Sequence, residues 1–159
     1  LNIYKELAHQ ASLNVLIAGS RSFGDYDFLC ENVEKILQEM CRTPNLVGPD
    51  ETIYDDAPWY KDGKFLIKNI CGLAEGADQL GGRWAKENGY NVIEFPADWG
   101  KWGRSAGHIR NAEMVNFIKE YPHKVAIFFW DGESKGTNGC IELCKKHGIP
   151  HHVILFDKS

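Results

Sequence analysis

At 159 residues, 43% hydrophobic and 25% charged, the chain has the size and make-up of one compact domain with its own core, taken as residues 1–159. A net charge of −4 and a pI near 5.9 argue against a nonspecific nucleic-acid surface or an anionic membrane surface, so any phosphate is expected to meet a local pocket. No run of about 18 apolar residues is present, and the opening LNIYKELAHQ has neither a basic start nor an apolar signal core. The expectation is a soluble, cytoplasmic protein with no membrane partner.

The first apolar run, LNVLIAG (13–19), predicts a strand, followed by a helical stripe of Leu29, Val33, Ile36, Leu37 and Met40 with Asp25 or Asp27 as N-cap. The segment TPNLVGPDETIYDDAPWYKDGK (43–64) is too long and too rich in Pro, Gly and Asp for an ordinary connection, and predicts a lid, a partner surface or a mobile excursion. Its acids, Asp50, Glu51, Asp55, Asp56 and Asp62, lack regular ligand spacing, so a solvated acidic loop is preferred to a divalent-cation site. A second strand is expected at KFLIKNICG (64–72), then a helix with Ala77, Leu80, Trp84 and Ala85 inward, stopped by Asn88 and Gly89.

NVIEF (91–95) predicts a third strand, WGKWGRSAG a loop, and AEMVNFIKEY a helix that buries Met114, Phe117, Ile118 and Tyr121 and closes at Pro122. KVAIFFW (124–130) predicts a fourth strand, a helix is expected over about 138–147, and HHVILF (151–156) completes the set. Continuous rather than alternating apolarity suits strands covered on both faces. The fold class expected is therefore α/β: a Rossmann-like, doubly wound, predominantly parallel sheet of about five strands.

The five cysteines lie mostly inside apolar segments and are odd in number, which fits reduced thiols rather than a disulfide framework. Cys140, Cys144 and His147 share a helical face and offer three metal ligands, but cysteine as a small buried hydrophobe is the preferred reading. No resident metal or cofactor is expected.

In an open α/β sheet, ligands bind outside the carboxyl ends of the strands. Four strand-to-helix connections there are glycine-rich or polar: Gly19, Ser20, Arg21 onward; Gly72, Glu75, Gly76, Ala77 and Asp78; the loop with Trp99 and Trp102; and Asp131 through Gly136 and Thr137. Small residues let backbone approach a ligand, and helix N-termini offer free N–H groups to phosphate. Arg110, in HIRNAEM, is expected in a helix's first turn, where partial positive charge makes a guanidinium unfavourable unless an anion pairs with it. The alternative is a salt bridge to Glu94 or Glu113. These residues predict a phosphorylated nucleotide or nucleotide derivative as ligand, with Trp99 or Trp102 stacking on its base. Asp78 is expected to hold ribose hydroxyls or to cap its helix.

The order GSRSF, GLAEGAD, HIRNAEM and GESKGTNGCIE resembles the SLOG superfamily, in particular its YspA-like branch, over nearly the whole chain. SLOG proteins are Rossmann-like relatives of the LOG phosphoribohydrolases and of the DNA-uptake protein DprA. The resemblance implies a nucleotide-derived ligand across the strand ends and carries over Gly19, Ser20, Arg21, Gly72, Gly76, Ala77, Asp78, Arg110, Asn111, Gly136 and Thr137 as ligand-contacting positions. It further implies a homo-oligomer of no fixed number. LOG enzymes cleave an N-glycosidic bond with a pair of glutamates in a PGGxGTxEE-like segment, where this chain has Gly139 and Cys140, and Asn111 replaces a lysine. The leading expectation is thus a domain that senses or sequesters a nucleotide signal. The alternative is an N-glycosidic hydrolase of nucleoside monophosphates or related signals, with Glu75 as its carboxylate. A third reading is an interaction module built on the 43–64 loop, which predicts a closed strand-end pocket.

Overall fold

The computed structural model describes residue 3 and residues 10–41 and 57–157. The chain runs β1 (Leu13–Gly19), α1 (Tyr26–Met40), β2 (Tyr60–Lys61), β3 (Lys64–Phe65), β4 (Ile67–Cys71), α2 (Ala77–Glu87) and β5 (Asn91–Glu94). It continues through α3 (Trp99–Trp102), a 3-10 turn (Gly103–Ser105), α4 (Ala106–Lys119), β6 (Lys124–Trp130), α5 (Lys135–Lys146) and β7 (His151–Leu155).

Five strands form one sheet in the order β5-β4-β1-β6-β7, and every pairing is parallel. This is the expected Rossmann-like α/β architecture. One face packs Leu13, Val15 and Ile17 of β1 with Val125, Ile127 and Phe129 of β6 against Leu29, Val33 and Leu37 of α1 and Trp84 of α2. On the opposite face Leu16, Ile70, Ala126 and Phe128 meet Met114 and Ile118 of α4 and Cys140, Ile141 and Cys144 of α5. Burial on both faces explains the largely apolar runs of β1 and β6, whereas central β4 carries Lys68 and Asn69 in its middle.

Beginning at β1, the chain steps outward to β4 and β5, then returns across β1 to β6 and β7. The strand order therefore reverses between β1 and β6, the place where such sheets open a crevice at their carboxyl edge.

Several expectations need correction. The run at 64–72 is not one strand. Lys64–Phe65 pairs antiparallel with Tyr60–Lys61 around Asp62 and Gly63, both at positive φ (52° and 76°), as an Asp-Gly hairpin requires; Leu66 then separates β3 from β4. The tail of the 43–64 excursion is thus a hairpin with Trp59 tucked into the core, while residues 43–56, with Asp50, Glu51, Asp55 and Asp56, lie outside the described residues. Strands β5 and β7, expected to be buried, are the sheet edges and are only partly covered. WGKWGRSAG is not an open loop: α3 and the 3-10 turn lead directly into α4, capped at Asp98, whose carboxylate accepts from the Lys101 amide at 3.0 Å. Asp25 rather than Asp27 caps α1, accepting from the Phe28 amide at 3.1 Å. The last helix starts at Lys135, earlier than expected, which places Gly136 and Thr137 in its first turn.

Candidate functional site: a cationic cleft at the strand ends

A cleft of about 420 Å³ opens at the carboxyl edge of β1 and β6, within the range of small-molecule sites. Its floor is Ala18 and Gly19 at the end of β1; its walls come from Ser20 to Ser22, from α4 at Gly107, His108, Arg110 and Asn111, and from the first turn of α5. Three arginines line it, Arg21, Arg104 and Arg110, together with His108, and among the described residues no Asp or Glu does. In a chain of net charge −4 this is a local inversion of sign. The free amides at the start of α5 add partial positive charge on the same side.

The first and fourth loops are locked together by side chains. Ser20 Oγ accepts from the Asp131 amide at 3.1 Å and lies 3.0 Å from Ser134 Oγ. Asp131 in turn accepts from the amides of Glu133 and Ser134, both at 2.8 Å, and from the Ser134 hydroxyl. Gly76, at φ 83°, lets the second loop close on the first, because a Cβ there would run into the carbonyl oxygens of Ser20 and Arg21. The cleft wall is therefore held in shape by loop-to-loop contacts.

Arg110 does not stand in a first turn, as expected; α4 begins at Ala106 and Arg110 is one turn further in. Its singular property is burial: only 7% of it is exposed. Nε donates to Asn111 Oδ1 at 2.8 Å and Nη1 donates to the Gly72 carbonyl. Neither Glu94 nor Glu113 pairs with it; among the described residues the ion pairs are Arg83–Glu87 and Lys145–Glu142. Nη2 has no protein partner among the described residues and lies beside Gly107, on the cleft.

Behind this guanidinium sits Asp78, 4% exposed, in the first turn of α2. A Cβ on Gly72 would stand 2.6 Å from Asp78 Oδ2 and 3.0 Å from Cδ and Nη1 of Arg110, so both charged groups crowd the space that glycine leaves open. Burial pushes the Asp78 carboxyl up to about 6, against the opposing pull of the Arg110 charge and of the amides of Gly19, Ala74 and Asp78 itself. On α5, the Cys140 thiol lines the cleft and is pushed well above the usual thiol range, chiefly by burial. Among the described residues no group of three His, Cys, Asp or Glu side chains is placed to hold a metal ion.

Of the residues singled out from the sequence, Gly19, Ser20, Arg21, Trp99, Arg110, Asn111, Gly136 and Thr137 meet at the cleft. Gly72, Gly76, Ala77 and Asp78 lie behind its wall, Asp131 shapes the fourth loop, and Glu75 is exposed and away from the lining. Trp102 also lies off the cleft, with Lys101 Nζ 4.8 Å from its ring centroid, whereas Trp99 lines it and is 51% exposed. Arg104 and His108 were missed. Arg104 belongs to the segment expected to be a loop and His108 opens HIRNAEM ahead of the helix expected from Ala112; the signal that finds both is helical, because Arg104, His108 and Asn111 recur at spacings of four and three and so share a face with Gly107.

The fold and the cleft define a Rossmann-like α/β domain with an arginine-lined pocket at the strand-order reversal. No family model matches the chain, and no solved structure matches it. Among curated proteins it is similar to the Gene 61 protein of Mycobacterium phage D29, 39% identical over 86 residues, which covers 51% of this chain and 66% of that protein. The match thus spans slightly less than two thirds of the relative.

Proposed function

We propose that this protein binds a phosphorylated nucleotide or nucleotide-derived ligand in the strand-end cleft and senses or sequesters it, as a YspA-like member of the SLOG superfamily. The observation that carries the reading is the buried Arg110, which lines a cleft with two further arginines and no carboxylate. Nη2 of this guanidinium has no protein partner among the described residues and faces the cleft, so a phosphate oxygen there would gain a charge-assisted hydrogen bond from a side chain already held in place by Asn111 and Gly72. The α5 amides at Gly136 and Thr137 supply additional donors for phosphate, and Trp99 supplies an aromatic face for a base.

The hydrolase alternative needs a carboxylate beside the sugar, and its candidate, Glu75, is exposed and off the cleft. The interaction-module alternative needs a closed pocket, and this one is open. The binding reading also carries a cytoplasmic location, and light scattering on the purified protein tests the homo-oligomer that the resemblance implies.

The deciding experiment is a thermal-shift screen against nucleoside mono-, di- and triphosphates and dinucleotides, followed by chromatography of the best ligand. A ligand at about 100 times its Kd stabilises by about 2.7 kcal/mol, readily seen as a rise in Tm. Stabilisation with the ligand recovered intact supports binding. The absence of any shift overturns it, and recovery of free base converts the reading to the hydrolase.

A further inference from the structure

We propose that Asp78 is a positioning residue for the cleft that competes with bound anion for the charge of Arg110, so that anion binding is coupled to uptake of a proton by Asp78. The inference rests on the anion-site reading above. Its geometric basis is the shared space over Gly72. The Asp78 carboxylate and the Arg110 guanidinium both press on the position of the missing Cβ, yet no direct ion pair joins them. Arg110 reaches the cleft, while Asp78 is 4% exposed and does not line it. A ligand therefore meets the arginine from one side and never displaces the carboxylate.

Two negative groups then share one buried cation. An anion arriving at Arg110 raises the free energy of the ionised Asp78, and a proton on Asp78 removes the repulsion. The carboxyl already stands at about 6 in the free protein, so the coupling falls at pH values where the fold is otherwise little perturbed. The other groups that face Asp78 do not titrate in this range. A guanidinium such as that on α4 keeps its charge at any pH a protein meets, and the thiols of Cys71 on β4 and Cys140 on α5 are both raised by burial. Cys71 donates its Sγ hydrogen to the Asp78 backbone carbonyl at 3.4 Å, leaving the carboxylate to the loop amides and Arg110. From the first and second loops the neighbours are the amides of Gly19 and Ala74, which carry no titrating group.

Sodium sulfate is the probe, because the ion keeps both charges from pH 5.0 to 7.5 while a phosphate would itself titrate. If bound sulfate raises Asp78 by about one unit, its affinity for the wild-type protein climbs about sevenfold as pH falls across this range. In Asp78→Asn the climb disappears. In His108→Gln, which removes the titratable side chain on the cleft itself, the climb persists whatever the absolute affinity. Retention of the roughly sevenfold climb in Asp78→Asn, or its loss in His108→Gln, overturns the proposal.

Should Asp78→Asn fail to fold, calorimetry of sulfate binding to wild type and His108→Gln at pH 6.5 in buffers of different ionisation enthalpy gives the same answer. Net proton uptake in both supports the coupling, and none in His108→Gln refutes it. No sulfate binding at any pH overturns the anion site as well, whereas binding that ignores pH overturns the Asp78 coupling alone.

Discussion

Asp78 Oδ2 and Arg110 Nη1 both lie within about 3 Å of the point where a Cβ on Gly72 would stand, so a side chain on this residue, directly after β4, would push on both charged groups behind the cleft. Overpacking of this kind costs typically about 1–3 kcal/mol. Gly72→Ala is expected to lower the unfolding free energy by that amount and to weaken anion binding, because Arg110 must shift to make room. Chemical denaturation and sulfate titration of the same preparation check both halves.

Arg110→Ala is expected to weaken nucleotide binding by about 1.5–3 kcal/mol, the worth of charge-assisted hydrogen bonds to phosphate. The same change strips Asp78 of its counter-charge and pushes that carboxyl further above about 6. The variant is therefore destabilised more at pH 7.5 than at pH 5, where Asp78 can protonate. Equal destabilisation at both would mean that Arg110 does not sense Asp78.

Stability itself reports on Asp78. Its folded carboxyl, at about 6, stands above the 3.8 of an unperturbed aspartate, so the fold favours the protonated form. The contribution is fully present below about pH 4 and is lost as pH rises through 6. Asp78→Asn does not titrate. The unfolding free energy of wild type relative to this variant should fall by about 2–3 kcal/mol between pH 4 and pH 7, whatever the constant offset between the two. A difference independent of pH would place Asp78 in an environment other than the one described.

The two exposed tryptophans separate stacking from mere proximity. Trp99→Ala should weaken a nucleotide by about 1–3 kcal/mol and inorganic pyrophosphate hardly at all, as expected for loss of a base–ring contact. Trp102→Ala should change neither, because its ring stands off the cleft beneath Lys101. Isothermal titration of the two ligands against the two variants gives the four numbers required.

Binding without turnover is expected for nucleoside monophosphates. Donors suffice to hold phosphate, whereas N-glycosidic cleavage needs a carboxylate at the sugar, and no carboxylate lines the cleft among the described residues. Chromatography of each monophosphate after prolonged incubation at high protein concentration should return it intact. Free base released by wild type and not by Glu75→Gln would instead make Glu75 catalytic.

The sequence by itself determined the parallel α/β class, because strands covered on both faces read as largely continuous apolar runs, as residues 15–18 of β1 and 125–130 of β6 do. It also located four of the connections at the strand ends, because glycine and polar residues cannot continue those runs. What it could not supply were relations between segments far apart in the chain. The helical phase of 99–105 depends on the Asp98 cap and on packing against α4, so Arg104 stayed hidden in what reads as a loop, while His108 falls ahead of the helix start expected at Ala112 and only the earlier start at Ala106 brings it onto the cleft face. Edge position depends on strand order, so β5 and β7 read as if buried. Gly72, Gly76 and Asp78 read as ligand contacts because each lies in a strand-end loop. Only the tertiary structure decided that they stand one layer back, where the space over Gly72 is filled by the two charged side chains and that over Gly76 by the first loop's carbonyls. Arg110 gives the sharpest case: the sequence marked the residue through its helix position, but its significance comes from burial near Asp78, a proximity across 32 residues that no local pattern encodes.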